Sequence, residues 1–401
     1  MAKAVKKTED KPKEVKQAEI KTQNFASIQG LVKDMNKHYG KPLLRTGNGI
    51  PYIFKVPYKE PALDYVTDGG VAIGRVQESL GHEHTGKTRN ALRALSQFQK
   101  YCFGCNSYDA LDVVWEYNPT TDERYTTKCE CKFCDAPETR ISLFVDIEGT
   151  TDPLFMEMLD VDTKGVYYAR IDLPSQAVDI VDAFLRQPSV GLIIVDSVGS
   201  MGSDAETEKA MEDIKMNQNA LFLNRAVRKW QMALNSNSNT TGKENGATMI
   251  VINQSYQSLD LMSKEIAQGG RGLRHGKGQS IKNSLVTKTV DPKTKEVKGV
   301  QIRATNEKNK TGMPYRRMEY YLNLDSNDPE IRYAHTNINM QYVELAIMLE
   351  LVEQRGAWFF YGNSKWNGKA AIVADLTQDV KDAVDEYLYT TNKLAKDATG
   401  K

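Results

Sequence analysis

The sequence predicts an α/β fold with a central, mainly parallel sheet, and three observations carry that expectation. Apolar runs ending in polar side chains alternate with amphipathic segments of helical period along most of the 401 residues. One run breaks into Gly81-His82-Glu83-His84-Thr85-Gly86-Lys87-Thr88, which fits G-x-x-x-x-G-K-[ST]. In such a loop glycine backbones wrap phosphates with N–H groups, the lysine neutralises oxygens and the threonine hydroxyl reaches Mg²⁺. Two later runs, Ile141 to Gly149 with Asp146 and Glu148 near its end and Val190 to Ser197 with Asp196, end in carboxylates, as strands facing a nucleotide crevice do.

Composition bounds the rest. A hydrophobic content of 40% suits one large domain with one or two small ones. The net charge of +1 argues neither for nor against nucleic acid, so a basic binding surface must be local. No apolar run approaches the roughly eighteen residues of a membrane span, and the N-terminus lacks an apolar signal core. A soluble, cytoplasmic protein is expected. All five cysteines fall between residues 102 and 134, too clustered to staple a chain of this size.

In chain order, residues 1–22 hold seven lysines and almost no large apolar side chains, so a disordered tail is expected. Phe25, Ile28, Val32, Met35 and Tyr39 recur at helical steps before Gly40. Val71 to Leu80 reads as the strand entering the loop, and Ala91, Leu92, Leu95 and Phe98 mark the helix leaving it. That helix start, with its free N–H groups, faces the phosphate. The bland alternative is a glycine-rich surface turn.

Cys102-x-x-Cys105 and Cys131-x-x-Cys134, separated by a hairpin-length segment, read as a zinc ribbon. Cys129 is the spare or the substitute, and four protein thiolates make the site structural. Reduced cysteines in a loop are the alternative.

Glu148, at the C-terminal end of the run Ile141 to Gly149, is the candidate for orienting or activating water, unless it is a solvated acid at a strand end. Asp196 fits the Mg²⁺-side acid. Helices are expected over residues 152–159, 175–185 and around Leu221 to Leu234, with a strand from Gly165 to Ile171 and polar loops at 199–219 and 235–246. The strand Thr248 to Gln254 ends on an amide that could meet a γ-phosphate or cap the strand. Residues 255–282 form a basic, glycine-rich stretch, read as either a nucleic-acid contact or a solvated loop. A hairpin over 285–305, a helix from Met340 to Glu353 ending at Gly356, a small hairpin through Tyr361 and a helix from Thr377 to Leu388 complete the chain.

Together these segments resemble the bacterial RecA recombinases and their phage-encoded counterparts. The likeness is carried by Gly74-Arg75-Val76, the 81–88 loop, Asp146-x-Glu148 with Asp152-Pro153, and Val195-Asp196-Ser197-Val198. It continues through Ile252-Asn253-Gln254, Gly269-Gly270, Lys308-Asn309-Lys310 before Pro314, and Gly356-Ala357-Trp358. The resemblance implies an ATP-dependent filament on single-stranded DNA that pairs it with homologous duplex and exchanges strands. It implies phosphate and Mg²⁺ contacts from Gly81, Glu83, Gly86, Lys87 and Thr88, with Asp196 supporting the metal. Catalysis would draw on Lys87, Glu148 and Gln254, and on Lys308 and Lys310 reaching a neighbour's ATP. Asp152 and Phe155 would contact the adenine. Lys264, Arg271, Arg274 and Arg228 would be the DNA-binding cations, on or behind loops 199–219 and 255–282.

The organisation expected is a tail (1–22), a polymerisation helix and linker (23–60), a RecA-like ATPase core (61–333) and a C-terminal α/β domain (334–401). The core carries the cysteine insertion at 101–139. That insertion departs from the family, and its expected role is a DNA or partner contact, with loading or replication proteins among the partners. His275 and Leu221 stand where the family has phenylalanine and arginine, and the usual acidic tail is missing, the sequence ending Lys393-Leu-Ala-Lys-Asp-Ala-Thr-Gly-Lys. Rival readings are a hexameric RecA-like helicase or branch-migration ATPase, and an ATP-binding DNA-coating protein without turnover.

Overall fold

The computed structural model describes residues 27–40, 42–45, 47, 50, 52–202, 218–240, 246–257, 265–267 and 270–399. The expectations placed on the tail 1–22 and on 203–217 lie outside these residues. Residues 1–51 and 52–401 form two compact units.

In the first unit, helix α1 spans 27–38, and Gly40 follows it with φ 64°. Ile28, Leu31, Met35 and Tyr39 are exposed.

The second unit opens with β1 (Lys55–Val56), α2 (Pro61–Thr67), β2 (Val71–Ala72), β3 (Val76–Gly81) and α3 (Lys87–Gln99). An antiparallel hairpin, β4 (Leu111–Asn118) and β5 (Glu123–Cys131), stands between α3 and the next core strand. Then follow β6 (Ile141–Asp146), α4 (Pro153–Met158), β7 (Val166–Arg170), α5 (Pro174–Leu185), β8 (Val190–Asp196) and α6 (Gln218–Thr240). The core closes with β9 (Thr248–Gln257), β10 (Glu265–Ala267), α7 (Gly270–Gly276), β11 (Gln279–Val290), β12 (Val297–Asn309) and β13 (Arg317–Asn323).

These strands build one sheet in the order β13-β12-β11-β3-β9-β8-β6-β7, with β10 paired to β9. The six strands from β11 to β7 in that order run parallel, as the sequence predicts, and β12 and β13 add an antiparallel edge. The strands are apolar on both sides because both faces are covered. Ile194, Ile250 and Ile252 pack on one face with Leu92 and Leu95 of α3. Ile193, Val195, Met249 and Val251 pack on the other with Val181 of α5, Trp230 of α6 and Leu273 of α7. Full burial of each such side chain contributes about 1.5–3 kcal/mol.

The chain ends with α8 (Ile338–Met348), a three-stranded sheet of β14 (Glu353–Arg355), β15 (Trp358–Tyr361) and β16 (Ser364–Asn367), then α9 (Lys369–Ala374) and α10 (Gln378–Thr399). Val343, Val384 and Leu388 share the hydrophobic cluster that contains Leu63 and Val66 of α2.

Several boundaries differ from expectation. Helix α8 stops at Met348 rather than Glu353, because Glu350 takes φ 58° and the Leu351 N–H turns back to Ala346 O. Gly356, with φ 61°, therefore turns a hairpin instead of ending a helix. Helix α10 runs past Leu388 to Thr399, since Tyr389, Asn392 and Ala395 continue its buried side. Residues 235–240 extend α6 rather than opening a loop, consistent with the small helix-propensity deficit of Asn and Ser, under about 0.7 kcal/mol each. The stretch 255–282 also carries more structure than a flexible loop: β9 extends to Gln257, and β10, α7 and the start of β11 lie within it.

Candidate nucleotide and metal sites

Gly81 ends β3 against β11, where a Cβ would meet Asn283 O at 2.3 Å, so only glycine fits. Helix α3 then starts at Lys87 with Gly86 as its N-cap and no side-chain cap. Its first N–H groups and positive dipole end are left for an anion. The loop is folded on itself: Lys87 Nζ donates to His82 O at 2.6 Å and Thr85 Oγ1 to the same carbonyl at 2.7 Å. Burial lowers the Lys87 pKa, against the pull of Asp196, Glu148 and Glu83, so an arriving phosphate meets a poorly solvated ammonium.

Parallel register brings the other predicted groups to the same sheet edge. Gly81 aligns with Gln254, and Asp146 with Asp196. Thr88 Oγ1 donates to Asp196 Oδ2 at 2.6 Å. Burial raises the Asp196 pKa to about 6; Glu148 and Asp146 add to the rise, while Thr88 and Lys87 oppose it. A carboxylate so poorly solvated, next to a hydroxyl and beside a phosphate loop, has the donor set of a hard divalent cation.

Glu148 is exposed, and three donors converge on its Oε1: Ser197 Oγ at 2.6 Å, Ser200 Oγ at 2.9 Å and Gln254 Nε2 at 3.2 Å. The acid is thereby aimed, with Oε2 left out of this cluster. Asp146 behaves differently from the expectation that it faces the crevice. It accepts N–H bonds from Gly149 and Thr151 and the Tyr168 hydroxyl at 2.8 Å, and so shapes the turn that carries Glu148. Burial would raise its pKa, but these donors outweigh it and hold the carboxyl below its ordinary value.

Phe155, on α4, lines a cleft of about 370 Å³ that opens off His84 to Arg89. Asp152 caps α4, accepting the Leu154 N–H at 2.9 Å, and is not among the residues lining that cleft.

The four predicted thiols meet. Cys102, Cys105, Cys131 and Cys134 have Sγ atoms within 4.8 Å of one another, with Cys102–Cys134 at 3.7 Å and Cys105–Cys131 at 3.6 Å. Zinc–sulfur bonds of about 2.3 Å in a tetrahedron need edges of about 3.8 Å, so the cradle fits Zn²⁺. Cys129 is outside the four, which makes it the spare. Burial opposes ionisation of Cys131, but the Phe133 N–H and the neighbouring thiols draw its pKa down to about 7. Gly104 lets the first knuckle close, since a Cβ there would meet Ala136 O at 2.3 Å.

A family model described as the RecA N-terminal domain matches residues 117–326, just over half of the chain. The chain belongs to the RecA family. It is similar to Protein RecA of Gloeobacter violaceus, 23% identical over 381 residues, which cover 94% of this chain and 88% of the relative. Protein RecA of Chlorobaculum parvum is 26% identical over 361 residues, 88% of this chain and 86% of the relative. Protein RecA of Thermus aquaticus is 27% identical over 347 residues, covering 84% and 85%.

In this RecA-family chain Lys308 and Lys310 stand away from their own phosphate loop. Lys308 Nζ donates to Arg274 O at 2.6 Å and Lys310 Nζ to His275 O at 3.2 Å, so both sit at the C-terminal end of α7, where cations are favoured. Arg228 on α6 and Arg274 on α7 are exposed. Lys264 and the side chain of Arg271 lie outside the described residues. Lys277, within the basic stretch read as a nucleic-acid contact or a solvated loop, is instead buried against Glu78. Sequence reasoning also missed Ser197 and Ser200 as partners of Glu148. The available signal was Ser197 directly after the strand-ending Asp196, with Ser200 four residues past it.

Proposed function

We propose that this chain is an ATP-dependent recombinase that coats single-stranded DNA as a filament, pairs it with homologous duplex and exchanges strands. The observation that carries the reading is the meeting, at one sheet edge, of Lys87, Thr88 and Asp196 with a Glu148 held by Gln254 and two serines. Glu83 flanks the loop and Gly81 and Gly86 leave room for the phosphates. Thr88 and Asp196 would hold Mg²⁺, which when bound neutralises charge on the phosphate oxygens. Lys87 leaves the His82 carbonyl for the phosphates. Glu148 orients and deprotonates water, and Gln254, bonded to it, is positioned to exchange that partner for a γ-phosphate oxygen.

Lys308 and Lys310, held at the end of α7 in this chain, would leave those carbonyls to stabilise charge at a neighbouring subunit's ATP, as an arginine finger does. The exposed apolar side of α1 supplies the contact between subunits. Arg228, Arg271, Arg274 and Lys264 are the candidate DNA contacts. The cysteine ribbon holds structural Zn²⁺. Residues 101–139 carry eight carboxylates against three cations, a balance that disfavours a phosphate backbone and favours a protein partner.

The test is a strand-exchange and DNA-stimulated ATPase assay with negative-stain imaging. Open helical filaments with exchange activity are expected, and Glu148→Gln should retain ATP while turnover falls by about 10²–10⁴. Closed rings, or full turnover in Glu148→Gln, would overturn the reading.

A further inference from the structure

The strands that carry the phosphate loop and Gln254 are tied to the end of α7 by charged and polar groups inside the protein. Glu78 sits on β3 three residues before Gly81, and Asn253 sits on β9 directly before Gln254. Lys277 directly follows α7, and Ser280 lies opposite Glu78 on β11. Glu78, Asn253 and Ser280 are fully buried, and Lys277 is 7% exposed. Glu78 Oε2 accepts Lys277 Nζ and, at 2.6 Å, Ser280 Oγ, while its Oε1 accepts Asn253 Nδ2 at 2.9 Å. This carboxylate therefore joins three parallel strands to the exit from α7.

Both ends of the network reach groups that the proposed mechanism uses. At one end, Gln254 Nε2 holds Glu148 Oε1 at 3.2 Å. At the other, Arg274 O and His275 O accept Lys308 Nζ and Lys310 Nζ, and Gly278 O accepts the Lys310 N–H at 2.8 Å. The Gly278 N–H in turn donates to Val76 O of β3 at 2.8 Å. Burial lowers the Lys308 pKa, Lys310 and Lys277 lower it further, and Glu78 pulls the other way, so the buried pair and this lysine feel one another's charge. Stability alone does not call for such a pair, because apolar side chains of similar volume often serve a buried position as well. What the pair supplies is direction: charge-assisted hydrogen bonds fix where the end of α7 stands against β3 and β9.

We infer that Glu78 and Lys277 are positioning residues, which set Gln254, and through it Glu148, against the segment that holds Lys308 and Lys310. Release of those lysines toward a neighbour is thereby felt at the acid of their own subunit. This rests on the proposed reading of Glu148, Gln254, Lys308 and Lys310 as groups that act on ATP. When the two ammonium groups leave, the carbonyls of Arg274 and His275 lose their donors and the repulsion on Lys277 falls. A buried pair is poorly screened, so the change passes to Asn253 and its strand.

The experiment compares the full chain with the neutral pair Glu78→Gln/Lys277→Met, with Lys308→Ala, and with all three substitutions together. Calorimetry reads ATP affinity with Mg²⁺, and steady-state hydrolysis with a thymidine oligonucleotide reads kcat and KM. The neutral pair should keep the wild-type circular dichroism spectrum and ATP affinity, while its kcat falls about tenfold at unchanged KM. Added to Lys308→Ala, it should lower kcat no further, because groups acting as one unit are not additive. A folded neutral pair with wild-type kcat would overturn the inference. So would effects that multiply in the triple variant, or ATP affinity that falls together with kcat. A neutral pair that does not fold passes the decision to Asn253→Leu, which parts Glu78 from β9, leaves the ion pair in place and is judged by the same outcomes. Wild type that shows no oligonucleotide-stimulated hydrolysis would instead bring down the reading on which the inference rests.

Discussion

Thr88 Oγ1 donates to Asp196 Oδ2 at 2.6 Å, joining the phosphate loop to a strand end 108 residues later. The bond would preform the proposed cation site without occupying it. The hydroxyl keeps its lone pairs for a metal, and the carboxylate is held a single contact away. Thr88→Val removes the hydroxyl at constant shape. A hydrogen bond to a charged group is worth about 1.5–3 kcal/mol, so the Mg²⁺ concentration needed to support nucleotide binding should rise at least tenfold. Thr88→Ser should stay near wild type. A Mg²⁺ titration of nucleotide binding checks both, and an unchanged midpoint in Thr88→Val would remove this residue from the metal site.

The cysteine cluster makes a prediction that separates five similar side chains. Cys131→Ser or Cys134→Ser should lower bound zinc from one equivalent to none, while Cys129→Ser retains it, because Cys129 lies outside the four. The effect should reach the C-terminal helix. Ser107, 3.3 Å from Cys105 Sγ, accepts Lys396 Nζ at 2.8 Å, and Tyr108 packs on Tyr389 with ring centroids 5.1 Å apart. Metal removal should therefore raise hydrogen exchange in β4, β5 and the end of α10 and leave β3 and β8 protected. Zinc analysis of the purified variants, with exchange read by mass spectrometry, decides it.

Asp64 predicts a pH dependence of stability. It is fully buried, accepts the Tyr58 N–H at 2.6 Å and the Tyr389 hydroxyl at 2.9 Å, and burial raises its pKa to about 7 against those donors. An unfolded aspartate titrates near 3.9, so the native state holds the extra proton between these values. The stability this contributes is fully present below about pH 4 and is lost as pH rises through about 7, on the order of a few kcal/mol. Urea unfolding should show higher stability at pH 5 than at pH 8 from this group, and Asp64→Asn should flatten that slope. An identical slope in the variant would exclude Asp64 as its source.

What the sequence made legible follows from which interactions are local. The loop, Asp196 at its strand end and the cysteine spacing are each short-range patterns, and they reappear as geometry, whereas Asp146 turns to the backbone of the next turn. Burial set by distant partners is harder to read. Tyr389, Asn392 and Ala395 look like the polar remainder of a helix until Asn392 is seen bonding both the N–H and the carbonyl of Lys55, 337 residues away. Lys277 looks solvated among arginines and glycines because Glu78, its partner, lies 199 residues earlier.

Lys277 and Glu78 give the sharpest stability test, because both are buried and their pairing is complete. Glu78 takes Lys277 Nζ and Ser280 Oγ on Oε2, the latter at 2.6 Å, and Asn253 Nδ2 on Oε1 at 2.9 Å. Asn253 precedes Gln254, and Lys277 directly follows α7, whose last carbonyls hold Lys308 and Lys310. Removing one partner of a buried pair strands the other, which costs about 3–5 kcal/mol, whereas replacing both with apolar groups is often neutral. Lys277→Met should therefore destabilise the chain severely, and Lys277→Met combined with Glu78→Met should recover part of that loss. The recovery is limited because Ser280 and Asn253 lose their acceptor in the double variant. Denaturation midpoints of the two variants measure the difference, and a double variant less stable than Lys277→Met alone would mean that Glu78 works mainly through its neutral partners.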